Sequence, residues 1–210
     1  MRARTVEWLE RHTSETRSRH AADIFLRGRP RFVDRIVSWT YFNLAAARWQ
    51  GYEDVASHLA VFGEGLERCR PPATVLDIGT GTGGAAAMVA ARHPSAPVVG
   101  VDTSRAMLRR ARARHRHPNL SFRKASALRL PFADATFDLV TAVNAVPEPT
   151  ELRRVATPDV EVLLAATTRP LGDDDSPWVS RWRELGFRRI ASGERGGGSW
   201  EIYCPEASRS

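Results

Sequence analysis

The alternation of short apolar runs with helical segments after Pro71 and Pro72 is the strongest constraint on how this chain folds. The apolar runs are TVLDI, PVVGVD, LSFRK, FDLVTAV and VEVLLAAT. Helical patterns lie near residues 83–92, 104–116, 148–156 and 177–185. An alternation of this kind predicts a parallel sheet with helices on both faces.

The C-terminal end of the chain breaks this alternation. The runs FRRIASG and GSWEIYC are separated only by a glycine-rich segment, ERGGG, which leaves no room for a helix. Two strands joined in this way must pair as an antiparallel hairpin. The sequence therefore predicts a parallel sheet that ends in a hairpin.

Residues 1–70 have a different pattern, with apolar residues at mixed three- and four-residue spacing and few helix breakers. We expect this segment to form a helical lid that caps the substrate pocket, and residues 71–210 to form the sheet domain. No substrate-binding domain is inserted after the fifth strand, so the lid is expected to supply aromatic side chains to the pocket. The candidates are Trp39, Tyr41 and Trp49.

Composition excludes several classes of protein. The chain of 210 residues is 42% hydrophobic, which suits one well-buried domain with a modest extension. It contains no run of eighteen apolar residues, and its charged N-terminus lacks the centre of a secretory signal, so no membrane association and a cytoplasmic location are expected. The two cysteines match no metal or redox spacing, and no metal site is predicted.

The formal net charge of +7 raises the question of nucleic-acid binding. Residues 1–70 carry an excess of 3 positive charges and the remainder an excess of 4, so by this division the charge is spread along the chain. An arginine cluster at residues 109–116 is the densest group, and a solvated helix face is its simpler interpretation. Nucleic acid is therefore a less favoured partner than a small molecule.

The segment VLDIGTGTGG, residues 75–84, fits two nucleotide-loop patterns. Gly79, Gly81 and Gly84 match G-x-G-x-x-G, while Asp77 precedes alternating glycines at 79, 81 and 83. In an open α/β sheet such a loop follows the first strand and lies at the ligand site. The carboxylate of Asp77 would repel a pyrophosphate and attract an ammonium or sulfonium group, so the pattern favours a ligand with a cationic end.

A second carboxylate agrees with this interpretation. Asp102 ends the second predicted strand, 25 residues after Asp77. An acidic residue at about this spacing bonds ribose hydroxyls in nucleotide-binding sheets. A ligand with a ribose, a positive centre and no pyrophosphate is S-adenosylmethionine.

Three segments together resemble the class I S-adenosylmethionine-dependent methyltransferases, and in particular their small-molecule branch. They are VLDIGTGTGG, VVGVDTSRAML and LSFRKASALRLPFADATFDLVTAV. The resemblance covers about residues 73–204 and includes the closing hairpin. It implies a Rossmann-like seven-stranded sheet of order 3-2-1-4-5-7-6 with the last strand antiparallel.

The resemblance also implies roles for individual residues. Asp77 and the loop Gly79, Thr80, Gly81 and Gly83 would hold the methionyl part of the cofactor, and Asp102 the ribose. Thr103, with Ser104, would border the adenine, and Asn144 would border the methionyl amine and the substrate. At the adenine the family usually has an Asp before Ala, whereas this chain has Ser126 before Ala127, a neutral acceptor that would bind more weakly. A turn of Asp159 and Val160 replaces the usual Gly-Gly before the fifth strand.

The function expected from these features is methyl transfer to an O, N or C atom of a small molecule. The arginine bias and the compact size of the chain would suit an enzyme of secondary metabolism. The sulfonium activates the methyl group, so the protein mainly aligns a nucleophile, and no general base is assigned. Asp173, Asp174 and Asp175 follow the fifth predicted strand and are expected on the rim of the pocket, where they would contact either a basic acceptor or solvent.

Three alternatives stay open. The net charge favours an rRNA or tRNA methyltransferase, but the chain reads VNAVPEP after the fourth strand and lacks the N-P-P-aromatic or D-P-P-aromatic turn that many enzymes acting on nucleobase amino groups have. A nicotinamide-dependent oxidoreductase fits the glycines but not Asp77. A non-catalytic S-adenosylmethionine-binding or partner subunit would suit the loss of the adenine carboxylate.

Overall fold

The computed structural model describes residues 59–166 and 177–206, with the side chains of residues 177 and 178 left out. Its helices are α1 (Ala60–Leu66), α2 (Gly84–Arg92), α3 (Arg105–Arg114), α4 (Pro149–Val155) and α5 (Pro177–Glu184). Its strands are β1 (Val75–Ile78), β2 (Val98–Asp102), β3 (Leu120–Lys124), β4 (Phe137–Val143), β5 (Ala156–Ala166), β6 (Phe187–Arg195) and β7 (Gly198–Pro205).

The strands form one seven-stranded sheet in the order β3-β2-β1-β4-β5-β7-β6, which confirms the predicted topology. Strands β1 to β5 pair in parallel, and β7 runs antiparallel to both β5 and β6. The order reverses direction at β1, so the carboxyl ends of β1, β2 and β4 meet at the switch point where open α/β sheets bind ligands.

The central strands are apolar on both sides because helices cover both faces of the sheet. All four residues of β1 are buried, while the edge strand β3 has no fully buried residue. One core cluster joins the sheet to α4 and α5 through Leu152, Val155 and Trp182. The other joins it to α1 and α2, through residues that include Phe62 and Val89.

The C-terminal hairpin is anchored by aromatic packing. The ring of Trp182 in α5 stacks on the ring of Tyr203 in β7, with 4.7 Å between the ring centroids. It contacts the ring of Phe187 in β6 edge to face, with 5.3 Å between the centroids. All three side chains are at most 2% exposed. Burial of this aromatic surface contributes several kcal/mol of stabilisation, because each such side chain contributes about 1.5–3 kcal/mol.

Two expectations from the sequence need qualification. Residues 60–66, counted within the helical lid, pack on the face of the sheet: Val61, Phe62 and Leu66 of α1 are buried against β5 and β7. Asp159 and Val160 form no separate turn. Strand β5 begins at Ala156, directly after α4, and includes both residues. Its pairing with β4 is irregular in this region. Residues 1–58, with the predicted lid and its aromatics Trp39, Tyr41 and Trp49, lie outside the described residues, as do Asp173 to Asp175.

In the part of the chain that the structure describes, no helix is both long and apolar enough to cross a membrane. The same residues contain no group of three or more metal-ligating side chains. Both cysteines are free thiols, and burial raises the pKa of Cys69 to about 12, so this thiol stays protonated and unreactive.

Candidate functional site

The loop between β1 and α2 owes its shape to three glycines with positive φ. Gly79, Gly81 and Gly83 have φ of 70°, 55° and 89°, a region that side chains rarely tolerate. The amide of Thr80 donates to the carbonyl of Val101 at 2.9 Å, which pulls the loop over the end of β2. At Gly83 a Cβ atom would lie 2.7 Å from the ring of Phe122, so glycine is required there by both space and backbone angle.

Asp102, the last residue of β2, ties this loop to the start of α3. Its Oδ2 accepts a hydrogen bond from the amide of Gly81 at 2.9 Å, and its Oδ1 accepts one from the amide of Ser104 at 2.7 Å. Each carboxylate oxygen can accept a second bond, so acceptors for a pair of hydroxyls remain. Burial raises the pKa of Asp102, and the backbone amides that bind the carboxylate oppose this shift.

Asp77 is the most unusual group of the site. It is 1% exposed, and its Oδ1 accepts a 2.7 Å hydrogen bond from the hydroxyl of Thr141 on β4. Its Oδ2 is also buried and has no partner with hydrogen-bond geometry, and neither has the hydroxyl of Thr80. Burial raises the pKa of Asp77 to about 6, and the hydroxyls of Thr80 and Thr141 oppose this shift. Because buried polar atoms are nearly always partnered, an orphaned carboxylate oxygen indicates a missing donor, and a cation would suit it best.

The chain after β4 closes the site from the other side. Asn144 adopts a φ of 51°, which costs about 1 kcal/mol or more for a residue other than glycine. Its amide donates to the carbonyl of Ala165 at 2.8 Å, so the end of β4 stays attached to β5. The next residue, Ala145, lies so close that a Cβ on Gly79 would be 2.5 Å from its methyl group. The loops after β1 and β4 are therefore in direct contact.

The turn after β3 carries the predicted adenine-facing residues. The amide of Ala125 donates to the carbonyl of Asp102 at 3.1 Å, which sets this turn beside the end of β2. The hydroxyl of Ser126 accepts a hydrogen bond from the amide of Leu128 at 3.2 Å. The backbone carbonyl of Ser126 accepts a hydrogen bond from the amide of Arg129. Ser126 thus caps the turn, and its hydroxyl keeps one lone pair and its hydrogen for a ligand.

The structure brings the ten predicted cofactor residues to the carboxyl ends of four adjacent strands, β3, β2, β1 and β4. Sequence reasoning missed Thr141, whose hydroxyl binds Asp77. These two residues are register partners in the β1–β4 pairing, although 64 positions separate them in the chain. The alignment of two parallel strands would have been the signal, and it was not available from either segment alone.

Comparison with known proteins shows what this site resembles. Residues 75–164 match a family model described as a methyltransferase domain. This part of the chain is therefore similar to methyltransferase domains.

Two curated relatives illustrate the match. The ubiquinone/menaquinone biosynthesis C-methyltransferase UbiE of Desulfotalea psychrophila is 34% identical over 131 residues, covering 57% of this chain and 53% of the relative. The malonyl-[acyl-carrier protein] O-methyltransferase of Geobacter sulfurreducens is 33% identical over 149 residues, covering 68% of this chain and 51% of the relative. The chain spans about half the length of these relatives.

A solved structure supports the fold independently. A SAM-dependent methyltransferase from Aquifex aeolicus superposes with a TM-score of 0.63 at 19% identity, covering 77% of this chain and 98% of the other. At this identity the likeness concerns the fold, which agrees with the observed strand order.

Proposed function

We propose that this protein is an S-adenosylmethionine-dependent methyltransferase that acts on a small molecule. The observation that carries the proposal is the buried, unpartnered Oδ2 of Asp77 at the end of β1. A cation is the natural partner of such an oxygen, and the methionyl end of S-adenosylmethionine carries an ammonium group next to its sulfonium. The match of residues 75–164 to a methyltransferase domain supports the same cofactor.

The proposed roles follow the strand ends. Asp77 binds the methionyl ammonium, fixed in direction by Thr141, and the glycine loop passes close to the methionyl chain. Asp102 accepts from the ribose hydroxyls with the lone pairs that Gly81 and Ser104 leave free. The remaining contacts are assigned to Thr80, Thr103, Ser126, Ala127 and Asn144.

The bound cofactor supplies an activated methyl group, so the residues of the chain have to orient and desolvate rather than perform acid–base chemistry. Asp77 must be ionised to bind a cation, and its pKa near 6 allows this at neutral pH. The acceptor approaches from the side of β4 and β5, past Asn144. The left-handed backbone at Asn144, with a φ of 51°, supports this proposed role because such a conformation sets the direction of the chain beside the site.

The lid is part of the proposal. Since α1 packs into the core of the sheet domain, residues 1–58 are assigned the capping role, with Trp39, Tyr41 and Trp49 toward the acceptor. A flat or apolar acceptor suits aromatic side chains of this kind. We place the chain in the small-molecule branch because its curated relatives include methyltransferases of quinone biosynthesis and of a malonyl thioester.

Isothermal titration calorimetry tests the cofactor assignment. S-adenosylmethionine and S-adenosylhomocysteine should bind, and NAD should not. The substitution Asp102→Asn retains the size of the side chain and replaces one acceptor oxygen by a donor, so it should weaken S-adenosylhomocysteine by roughly 1.5–3 kcal/mol, the magnitude of a charge-assisted hydrogen bond. Binding of NAD alone would contradict the proposal.

Transfer itself is tested with methyl-labelled S-adenosylmethionine and three acceptors: a demethylated quinone, a malonyl thioester and unmodified tRNA. Label in one of the small molecules supports the proposal, and the Asp77→Asn variant should lose that activity. Label in the tRNA alone would make the protein an RNA methyltransferase.

A further inference from the structure

The segment from residue 103 to residue 133 contains nine basic side chains and no acidic one. The other described residues carry ten basic and fourteen acidic side chains, a net charge of −4. The excess positive charge of the described structure therefore lies in this one segment. It is made of α3, the edge strand β3 and the turn that follows, and we call it the basic edge.

Ion pairing distinguishes the basic edge from the rest of the fold. Elsewhere, six of the ten arginines pair with carboxylates of described residues, as in Arg70 with Glu161, Arg154 with Glu151 and Arg189 with Glu201. Arg114 aside, no cation of the basic edge forms an ion pair with a described residue. Their hydrogen bonds go to backbone carbonyls instead: Arg112 donates to Phe122 and Arg123 to Pro131.

This arrangement carries an energetic penalty. Helix α3 places Arg105 and Arg109, and then Arg110 and Arg114, four residues apart, and it has no acidic residue in its first turn. Like charges at this spacing destabilise a helix by roughly 0.2–0.5 kcal/mol per pair, and acidic residues near the N-terminus would have stabilised it. A helix that only faced solvent would gain stability from mixed signs.

The main chain of β3 strengthens the donor character of this surface. Strand β3 is the outer strand, so alternate peptide groups turn away from β2. The outward carbonyl of Phe122 already accepts a 2.7 Å hydrogen bond from Arg112. This bond covers an acceptor that an added β-strand would need for pairing, while the cations around it offer only donors.

A groove of about 530 Å³ continues the basic edge at the carboxyl end of β3. Lys124 and Arg129 line it, over a floor that includes Leu130 and Phe132. The one carboxylate in its wall, Glu151, accepts hydrogen bonds from Arg154 and from the amide of Leu130. An anionic group entering the groove would therefore meet two cations that have no ion-pair partner.

We propose that the basic edge binds nucleic acid through its phosphate backbone. Phosphates are acceptors only, which matches a surface of donors better than a peptide strand with alternating donors and acceptors. A membrane is disfavoured because the exposed large apolar side chain of the described structure, Ile190, lies on the opposite edge strand, β6. The aromatic side chains of the segment, Phe122 and Phe132, are half-buried against the protein, so binding is independent of base sequence.

The bound nucleic acid holds the protein in place and is not the methyl acceptor. The basic edge borders the β2 and β3 side of the cofactor site, whereas the proposed acceptor approaches at β4 and β5, on the other side of β1. This inference is independent of the identity of the small-molecule acceptor.

Fluorescence anisotropy of a labelled 20-nucleotide oligouridylate, titrated with the full chain at several salt concentrations, tests the proposal. The variant Arg109→Gln/Arg116→Gln/Lys124→Gln removes three cations that make no hydrogen bond with described side chains or backbone. Since each phosphate contact on single strands contributes about 0.7 to the slope of log K against log salt, the slope should fall by about 2 and the affinity at 0.1 M salt by more than tenfold.

The matched control is Arg68→Gln/Arg183→Gln/Arg188→Gln, which removes three exposed arginines elsewhere and leaves the same net charge. It should change the affinity less than threefold. Equal losses in the two triple variants, or no binding by the parent at 0.05 M salt, would overturn the proposal.

Competition with polyglutamate and with vesicles of phosphatidylglycerol and phosphatidylcholine separates nucleic acid from other polyanions. At equal concentration of negative charge, the oligouridylate should remain bound; displacement by either competitor would overturn the choice of nucleic acid. Both triple variants should retain S-adenosylhomocysteine binding by calorimetry, which shows that they fold and keeps this test separate from that of the proposed function.

Discussion

The two halves of the sheet treat buried carboxylates in opposite ways. In the half formed by β5, β7 and β6, Glu201 binds Arg189 at 2.6 Å and the hydroxyl of Tyr203 at 2.8 Å, and Glu161 accepts two hydrogen bonds from Arg70. In the half formed by β1 to β4, Asp77 has one hydroxyl partner and one oxygen with none. In the first half each of these two carboxylates binds an arginine of the protein, whereas in the second half one carboxylate oxygen is left without a partner for a ligand to bind.

Glycines divide the molecule in the same way. Gly83 in the cofactor loop and Gly197 in the β6–β7 turn have similar φ values of 89° and 81°. A side chain at Gly83 would collide with Phe122 and Ala111, whereas the space around Gly197 is open. Positive φ therefore serves close packing in one half and only a tight turn in the other.

The largest effect is expected from Glu201→Ala. The substitution removes the buried carboxylate that the half-buried Arg189 and the hydroxyl of Tyr203 both bind, which should lower the free energy of unfolding by about 3 kcal/mol. Urea denaturation measures this change. The control Glu194→Ala, on the exposed face of β6, should stay within about 0.5 kcal/mol of the parent. Similar values for the two variants would show that the second half does not depend on its paired carboxylates.

The next effect concerns the two glycines. We expect Gly83→Ala to lower the free energy of unfolding by about 2–3 kcal/mol, since backbone strain and the collision with Phe122 add together. Gly197→Ala should cost about 1 kcal/mol, from strain alone. The difference between their melting temperatures checks this comparison, and equal shifts would mean that Phe122 moves aside without penalty.

Neutralising one carboxylate in each half should change stability in opposite directions. Asp77→Asn removes a charge whose folded-state pKa is about 6 against an ordinary 3.8, so the ligand-free variant should be more stable above pH 6 by up to ~3 kcal/mol. This gain should vanish as the pH falls toward 4, because Asp77 is then protonated in the parent. Glu161→Gln, which weakens the bonds from Arg70, should instead destabilise by about 1 kcal/mol. Urea denaturation at pH 7.5 and 4.5 measures both, and a destabilised Asp77→Asn at pH 7.5 would contradict the view that Asp77 awaits a cation.

The smallest effect is on the pH dependence of cofactor-product binding. A cationic ligand requires ionised Asp77, so the affinity for S-adenosylhomocysteine should rise about tenfold from pH 5 to pH 7 and then level off. Burial also raises the pKa of Asp102, which acts in the same direction. Calorimetry across this range provides the test, with Asp77→Asn as a control whose affinity should be weak and nearly independent of pH. A flat profile for the parent would remove Asp77 from the binding site.

The sequence predicts the elements of the sheet well because each strand is a short apolar run and each helix has its own periodicity. The order of the strands depends on the resemblance, since local patterns do not say which strands are neighbours. Asp77 and Asp102 are identified by their place after strands, but the bond from Thr141 depends on a register between distant segments. The sequence located the arginine cluster at residues 109–116, but comparing residues 1–70 with the remainder made the excess charge look even, and only the fold shows that α3 and β3 place it on one edge.

The hydrogen bond from Arg112 to the carbonyl of Phe122 also bears on how copies of this protein behave at high concentration. An outer strand with free peptide groups is a template for edge-to-edge pairing, and natural proteins suppress such pairing with cationic side chains. With Arg112 on the carbonyl and Arg123 and Lys124 on the same strand, two such edges repel each other and find one acceptor already taken. The cations that suit β3 to binding a polyanion therefore also protect the sheet from aggregation. High salt screens the repulsion between two such edges and removes part of this protection.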